Sequence, residues 1–505
     1  MSTLWRKRSA LVLGALALTV LATSCGARVP AYLGAGATLN GSGNQPTAAT
    51  GAGAGASAVT TTTAPAATAG TTPTGAASPT GGSPVSANQT PGTTPPAART
   101  PTSTGFDFSA ASEAADCPTA AGNTASGPGV TANQVTFGNV SGLTGPLTGS
   151  FSQGSQGVEA LFGAINAAGG ICGRKLALDV EDDQQNASTN ASDVADLIPK
   201  VLAFAGSTSD GDNGGVPDMT AANVPDAGFA INCNRSEAPT YWSPAGGSCN
   251  QPTAGGPYYV SNGIFTLAKQ GGYFPTKMAF LSYSIAISAQ AAQQFEAVYK
   301  SMGGTVCYSD FAVSPASASL ESDVESMQQA GCNGSLDTMD VTGNAKLLQA
   351  MQQQSYIPAY VAATFDAYTP AMIATAGQSA AQGLIVGLPF VPLSESQTMV
   401  QLYQSQLATY EPGDQPSGFG FLAWEAAQML VYAVIQSGHN PTRASVISAF
   451  NNLKGWTGGG ALCPYTPGSR GVYPGDVDVQ IKGSGFVAKD PTSGIFCGGQ
   501  ATQAS

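Results

Sequence analysis

Short runs of hydroxyl, amide and carboxylate side chains follow several apolar stretches of this 505-residue sequence. They occupy residues 141–145, 207–209, 232–234, 282–284, 342–344 and 364–366. Hydroxyl and amide groups donate and accept hydrogen bonds, and a carboxylate such as that of Asp366 pairs with an amino group. These residue types suit the reversible binding of a small polar molecule.

Residue types that would support catalysis are scarce. The sequence contains one histidine, His439, in the turn 438–441, and it has no G-x-S-x-G nucleophile motif. It also lacks the G-x₄-G-K-[ST] phosphate-binding loop, so we expect no ATP hydrolysis by this chain. The sequence therefore predicts a binding protein rather than an enzyme, and no cofactor is expected.

The polar runs lie between segments that alternate in predicted secondary structure. Strands are predicted at 135–140, 175–180, 201–205, 278–283, 305–311 and 335–341, and helices at 154–168, 190–200, 288–302 and 320–330. Such alternation is typical of α/β proteins in which helices cover both faces of a parallel sheet. About 400 residues exceed one such core, so two lobes are expected. The polar runs at the carboxyl ends of their strands would then line a cleft.

The composition divides the chain near residue 105. Between residues 26 and 105 the sequence contains no Asp or Glu and is rich in Ala, Thr, Gly, Pro and Ser. Such a segment cannot bury enough apolar surface to offset the entropy cost of folding, so it is predicted to be a disordered tether. The remaining chain, 106–505, carries 13 basic and 30 acidic residues, a net charge of −17. This charge argues against binding to nucleic acid or to anionic lipid.

The first 25 residues have the pattern of a secretory signal peptide. A basic stretch at 5–8 precedes an apolar run at 10–22, which is too short to span a membrane because that takes about 20 residues. The segment 22–25 ends in Cys25 and resembles a bacterial lipobox, which implies cleavage before Cys25 and acylation of its thiol. An ordinary signal peptide, cut at an A-x-A-like site, is the alternative. Both interpretations predict export, and the first predicts a lipid anchor in the outer face of the cell membrane.

Eight of the nine cysteines lie beyond Cys25. They are Cys117, Cys172, Cys233, Cys249, Cys307, Cys332, Cys463 and Cys497. An even number in an exported chain predicts four disulfides, although eight cysteines allow 105 pairings. Pairing of neighbours along the chain is the simplest. No metal site is expected, because there is no C-x₂-C motif and only one histidine.

Several motifs occur in the order found in the Leu/Ile/Val-type (type 1 periplasmic-binding-protein-like) substrate-binding proteins of bacterial ABC transporters. They lie at 142–146, 169–176, 181–183, 295–304, 380–386, 419–434 and 456–459. The chain resembles this family from residue 130 to about 490. The resemblance implies an α/β clamshell of two Rossmann-like lobes with parallel sheets, joined by three crossovers and closing on a small ligand. Lobe 1 is expected at about 128–262 and 390–470, and lobe 2 at about 263–389 and 471–500.

The resemblance also implies roles for individual residues. The hydroxyls of Ser207 and Thr208 correspond to groups that bind a ligand carboxylate. Asp366, or Phe365 beside it, corresponds to the position of an acid that binds the ligand's ammonium group, and the carboxylate favours Asp366. Phe151, or Ser150 after a one-residue shift, corresponds to the position where the family often has an aromatic residue that forms a wall of the site. The other predicted ligand-binding residues are Thr144, Asn234, Tyr283 and Thr342.

These inferences predict an exported, lipid-anchored protein that captures a small polar ligand for an ABC importer. The ligand would be an amino acid or a related amide or carboxylate. Its partners would be separate permease and ATPase subunits, and we expect a monomer. The alternative is a cell-envelope receptor that senses the ligand without transporting it, since lobe closure on a ligand serves both functions.

Overall fold

The computed structural model describes residues 120–147, 151, 153–247, 249–253 and 255–504. The predicted signal peptide and tether, together with Cys25 and Cys117, lie outside these residues. The described residues all belong to one structural unit, which contains two large sheets.

The first lobe is built on five strands that are all parallel. These are β1 (Gln134–Ser141), β2 (Lys175–Asp182), β3 (Phe204–Ala205), β4 (Asp226–Ala227) and β5 (Tyr241–Trp242), in the spatial order β2-β1-β3-β4-β5. Its helices are α1 (Gln153–Ala167), α2 (Ala187–Leu197), α3 (Val216–Ala221) and α4 (Cys233–Ser236). Strand β1 is buried almost throughout, as expected for a central parallel strand with both faces covered.

The chain then crosses to the second lobe. The crossing contains β6 (Tyr259–Ser261) and α5 (Gly263–Gln270). The strands that follow are β7 (Lys277–Tyr283), β8 (Thr305–Val313), β9 (Gly334–Asp337), β10 (Tyr360–Ala363) and β11 (Ile385–Leu388). The helices between them are α6 (Ala286–Ser301), α7 (Glu321–Gln329), α8 (Val341–Gln353), α9 (Pro370–Ala376) and α10 (Gln378–Ala381), and a short 3-10 turn lies at Phe365–Ala367.

Two further crossings complete the fold. The helices α11 (Thr398–Tyr410), α12 (Gly418–Gln436) and α13 (Arg443–Asn452) return to the first lobe, where α11 and α12 pack on α1, and a 3-10 turn lies at Gly458–Gly460. The strands β12 (Val477–Lys482) and β13 (Gly485–Asp490) then join the second sheet, whose order is β13-β12-β11-β10-β9-β7-β8. The last strand, β14 (Ala501–Gln503), pairs with β6.

Helix α12 forms the centre of the first lobe. Every residue from Gly418 to Val434 is buried, and the Trp424 indole donates a hydrogen bond to Gln406 Oε1 at 2.7 Å. Within the described residues, this is the one helix long and apolar enough to cross a membrane, but 94% of its apolar stretch is buried inside the protein. It is therefore a core helix.

The predicted fold class is confirmed: two α/β lobes contain parallel sheets, and the chain crosses between them three times. Two details differ from the sequence analysis. Strands β12 and β13 run antiparallel to their neighbours. The strand predicted at 335–341 ends at Asp337, because Asp340 accepts a hydrogen bond from Gly343 N and begins helix α8.

Three disulfides join cysteines that are neighbours along the chain. They are Cys233–Cys249, Cys307–Cys332 and Cys463–Cys497, as the simplest pairing predicted. Cys172 is disulfide-bonded as well, and its predicted partner Cys117 lies outside the described residues. In the described part of the chain, no group of three or more His, Cys, Asp or Glu side chains is arranged to hold a metal ion.

Candidate ligand-binding site

A cavity of about 260 Å³ lies between the two sheets. Its wall is formed in the first lobe by residues after β1, β3, β4 and β5, and in the second lobe by residues at the ends of β7, β9 and β10. The cavity therefore lies at the carboxyl ends of the strands, where open α/β sheets bind their ligands. Its volume is close to the lower end of the range of about 300–1,000 Å³ that is common for small-molecule pockets.

Four phenylalanine rings form one side of the cavity. Phe151 and Phe229 belong to the first lobe, Phe365 follows β10 of the second lobe, and Phe419 begins α12. The Phe365 and Phe419 ring centroids lie 4.7 Å apart, Phe229 lies 5.1 Å from Phe365, and Phe151 lies 5.2 Å from Phe419. Leu147, Ile231, Ile264, Ile287, Leu336 and Val472 extend the apolar wall. This surface suits an apolar ligand body.

Two carboxylates of the second lobe line the same cavity. Asp340 accepts a hydrogen bond from the Tyr283 hydroxyl at 2.6 Å and one from Gly343 N at 2.9 Å. Asp366 is half-buried in the 3-10 turn after β10 and accepts a hydrogen bond from the Thr364 hydroxyl. The strand ends β9 and β10 thus hold both carboxylates at one edge of the sheet.

Two more carboxylates approach the cavity from other directions. Asp210 follows β3 in the first lobe, is half-buried, and belongs to the cavity wall. Asp476 precedes β12 and accepts a hydrogen bond from the Ser261 hydroxyl at 2.7 Å. Both lobes therefore contribute negative charge to one small space.

The pKa values of three of these carboxyl groups are raised, in each case chiefly by burial. Burial raises the pKa of Asp210 to about 7, and the charges of Asp212 and Asp366 contribute to the increase. Burial raises the pKa of Asp366 to about 6, with a contribution from Asp340. Burial also raises the pKa of Asp476 to about 7. A positively charged ligand group would relieve both effects.

Arg235, a buried cation of the first lobe, is already paired. Arg235 makes a bidentate ion pair with Asp226 at 2.8 and 2.9 Å and a second ion pair with Asp212 at 3.2 Å. It also donates a hydrogen bond to Ser207 O at 2.9 Å. Burial alone would lower the pKa of Arg235, but the two aspartates raise it above its ordinary value, so the guanidinium stays charged and engaged within the lobe.

A profile of the periplasmic binding protein family matches residues 134–472. The chain belongs to the periplasmic binding protein family. No curated protein matches it.

Solved structures resemble this periplasmic binding protein in fold. The substrate-binding protein of a fatty acid ABC transporter from Thermomonospora curvata has a TM-score of 0.60 at 15% identity, covering 74% of this chain and 95% of its own. LivJ from Streptococcus pneumoniae is a branched-chain amino acid transporter substrate-binding protein, solved in complex with isoleucine. It has a TM-score of 0.59 at 14% identity, and the match covers 71% of this chain and 100% of LivJ. The leucine-binding protein LivK from Thermotoga maritima has a TM-score of 0.57 at 14% identity, and the match covers 72% of this chain and 98% of LivK. At these identities the likeness establishes the fold.

Three of the predicted ligand-binding residues of this binding protein line the cavity. Phe151 is 5% exposed and contributes to the aromatic wall, and Tyr283 is 2% exposed and holds Asp340. Asp366 presents its carboxylate beside Phe365. The structure therefore brings together the predicted aromatic residue, the phenol and the acid.

The other five predicted residues do not belong to the cavity wall. Ser207 Oγ accepts a hydrogen bond from Val140 N at 3.1 Å, and Thr208 Oγ1 donates one to Gly206 O at 3.1 Å, so both hydroxyls serve the interior of the first lobe. Thr144 binds Asp182 at 2.6 Å. The remaining two, Asn234 in α4 and Thr342 in the first turn of α8, are exposed. This placement does not support a ligand contact for any of the five.

Several cavity residues escaped the sequence analysis. Asp210 comes directly after the polar run 207–209, so the loop was recognised but its carboxylate was not. Asp340 was missed because the strand before it was predicted four residues too long, which moved the expected strand end to Thr342. The sequence signal for the correct boundary is an Asp three residues before Gly343, a common way to cap a helix.

Proposed function

We propose that this periplasmic binding protein captures a small molecule outside the cytoplasm and delivers it to an ABC importer. The observation that carries the proposal is a cavity of about 260 Å³ whose wall comes from both lobes. A ligand that contacts both lobes stabilises their closed arrangement, and a partner can recognise that arrangement. The solved transporter proteins of the same fold support the importer role.

The proposed ligand carries an amino group on an apolar body. The cluster of Phe151, Phe229, Phe365 and Phe419 would pack against the body, and Asp366 would pair with the amino group. The similar proteins are described as binding isoleucine or leucine, or as serving fatty acid transport. Each of these compounds has an apolar body, which agrees with the wall of this cavity.

The proposal includes the location and the partners of the protein. Acylation at Cys25 would anchor it to the outer face of the cell membrane, and the segment 26–105 would give its binding lobes reach towards a permease. The protein would act as a monomer with separate permease and ATPase subunits, and it would not be an enzyme. His439, the sole histidine of the sequence, lies outside the cavity wall and faces Asn123 Oδ1 at 3.0 Å.

A thermal-shift screen of the full chain tests the binding function. The compounds would be apolar amino acids, amines, amides, carboxylates and sugars. Ligand at 100 times its Kd should raise the unfolding free energy by about 2.7 kcal/mol, which appears as a shift of a few degrees. Small-angle X-ray scattering should then show a smaller radius of gyration with the ligand, because the lobes close. A hit without compaction, or no hit in any class, would contradict the proposal.

The role of Asp366 gives a direct prediction. Asp366→Ala should weaken the binding of an amine-bearing ligand about tenfold or more, because a charge-assisted hydrogen bond contributes about 1.5–3 kcal/mol. Isothermal titration calorimetry measures the change. Asp218→Ala is the matched control, since Asp218 is an exposed acid of α3. Equal affinities of the Asp366 variant and the unmodified chain would remove Asp366 from the site.

A further inference from the structure

The charged residues of the cavity wall are all of one sign. Among the described residues that form the wall, the charged side chains are Asp210, Asp340, Asp366 and Asp476, without a lysine, arginine or histidine. The apolar surroundings make an uncompensated charge costly. A ligand carboxylate placed here would meet repulsion from both lobes.

The groups that could have bound a carboxylate are occupied inside the first lobe. The hydroxyls of Ser207 and Thr208 make hydrogen bonds with backbone groups of that lobe. Arg235 is held by Asp212 and Asp226, and it contributes no part of the cavity wall. The described wall therefore has carboxylates that could pair with a positive group and no cationic side chain that could pair with a negative one.

The aromatic wall favours the same ligand charge. Phe229 and Phe419 ring centroids lie 6.4 Å apart, and both rings lie beside Phe365, the neighbour of Asp366 in sequence. Aromatic ring faces attract cations by about 0.5–2 kcal/mol, with the larger values at desolvated sites. An ammonium group near Asp366 could thus contact a carboxylate and an aromatic surface together.

A buried amide in the wall points independently to a polar ligand group. Gln294 of α6 is 4% exposed and lines the cavity. Its Nε2 is buried and has no hydrogen-bond partner among the described residues. Leaving this N–H donor unsatisfied costs about 1–3 kcal/mol, so a ligand oxygen that accepts a hydrogen bond from Gln294 Nε2, such as a neutral hydroxyl, would stabilise the complex.

We propose that the ligand is a small organic cation, an amine with an apolar and preferably aromatic body and no carboxylate, whose ammonium group bridges Asp210 of the first lobe and Asp366 of the second. This inference rests on the proposed binding function and names its ligand class. The two carboxylates repel each other until the cation lies between them. Lobe closure would then depend on ligand charge, because a cation between the lobes attracts both Asp210 and Asp366, whereas without a cation the two carboxylates repel each other.

Four probes of one shape test the ligand class on the full chain. They are 2-phenylethylamine, 3-phenylpropionate, 2-phenylethanol and phenylalanine, which carry a cation, an anion, a neutral hydroxyl, and both charges. Calorimetry at about pH 8, where the aspartates are ionised, should show that the amine binds at least about tenfold tighter than each of the other three, a difference of about 1.4 kcal/mol. Tighter binding of phenylalanine or 3-phenylpropionate would overturn the inference.

Two isosteric variants test the bridge. Asp210→Asn and Asp366→Asn should each lower the affinity for 2-phenylethylamine about tenfold and leave the affinity for 2-phenylethanol unchanged. Asp218→Asn, on the exposed face of α3, is the control and should change neither. Loss of binding for both probes would indicate damage to the cavity, and an unchanged amine affinity in Asp210→Asn would show that there is no bridge. Both results would overturn the inference.

These experiments distinguish a failure of the cation inference from a failure of the proposed binding function. If none of the four probes binds while another compound of the broad screen closes the lobes, the cation inference is overturned and the binding function stands. If no compound of any class binds or closes the lobes, both are overturned.

Discussion

Glu425 is a buried acid in the middle of α12, with 0% of its surface exposed. The turn Gly458–Gly460 packs directly over its carboxyl group, and a Cβ on Gly458 would lie 2.6 Å from Glu425 Oε2. Gly458 also has a φ of +51°, so glycine meets both a steric and a backbone requirement there. Burial raises the pKa of Glu425 to about 8, and the neighbouring Trp456 indole only partly offsets the effect.

This raised pKa predicts how one substitution changes stability. Between about pH 4.5 and pH 8 the folded protein binds a proton at Glu425 that the unfolded chain has released, so the unfolding free energy falls as pH rises. Glu425→Gln should remove this part of the slope, which is at most about 1.4 kcal/mol per pH unit. Chemical denaturation at a series of pH values measures it. The exposed Glu325→Gln is the control, and equal slopes for Glu425→Gln and the unmodified chain would contradict the prediction.

Two of the predicted site residues line the cavity from the ends of strands in the second lobe. Tyr283 is the last residue of β7 and Asp366 follows β10 closely, and both line the cavity. Thr342 was chosen because β9 was predicted to end near it, whereas the strand ends at Asp337 and leaves Asp340 at the edge. Ser207 and Thr208 follow β3 as expected, but their hydroxyls turn to backbone partners. The spacing of residues along the sequence does not predict a hydrogen bond such as that between Val140 and Ser207, which are 67 residues apart.

At the scale of elements, the contact between α1 and α12 supports the first lobe. Gly157 of α1 lies so close to Gly420 of α12 that a Cβ at Gly157 would be 2.1 Å from Gly420 O and 3.2 Å from Trp424 N. Both of these atoms belong to the backbone and cannot rotate away. The two helices approach each other this closely because both have glycine at the contact.

Gly157→Ala should therefore lower the unfolding free energy. Overpacking typically costs about 1–3 kcal/mol, and a clash with backbone atoms of α12 places this variant at the upper end, despite the better helix propensity of alanine. Thermal unfolding by circular dichroism measures the loss as a shift of several degrees. Gly485→Ala in β13 is the control, because no atom lies within 4 Å of its added Cβ. An unchanged melting temperature for Gly157→Ala would show that the helices can separate without cost.

The long elements were predictable and the short ones were not. Apolar periodicity predicted the helices 154–168 and 288–302, which are observed one or two residues away as α1 and α6. Strands β4 and β5 have two residues each, too few for any periodic pattern. Alternation of strands and helices along the chain does not predict the antiparallel β12 and β13, because no helix separates them. Their pairing depends on the third crossing, which returns the chain to the second lobe.

At the scale of the whole molecule, acid groups concentrate between the lobes. The body of the protein is strongly acidic, and Asp210, Asp366 and Asp476 have pKa values raised by burial to about 7, 6 and 7. The groups whose charges raise the pKa of Asp210 include Asp212, Asp366, Asp183 and Asp340. Without a bound cation, these groups therefore interact unfavourably, and the cost grows as they ionise.

The linkage between these protons and a ligand gives a prediction for the full chain. Because the pKa values of Asp210 and Asp366 are above about 4 in the folded protein, the ligand-free chain should lose stability as pH rises from about 4 to about 7. A bound cation favours the ionised forms, so the thermal shift caused by 2-phenylethylamine should increase over the same range. Calorimetry in two buffers of different ionisation enthalpy should detect proton release on binding near pH 6.

The double variant Asp210→Asn/Asp366→Asn separates this linkage from other titrations. It should lose the part of the proton release and of the pH dependence of the ligand shift that comes from Asp210 and Asp366, leaving the part that comes from Asp476, the other wall residue with a raised pKa. The slope that Glu425 imposes on the ligand-free protein remains, because Glu425 lies outside the cavity wall. A ligand shift that stays constant from about pH 4 to about pH 8 in the unmodified chain would mean that the bound molecule does not contact the two ionised aspartates. The pH dependence thus reports whether the charge between the lobes, rather than the apolar wall alone, selects the ligand.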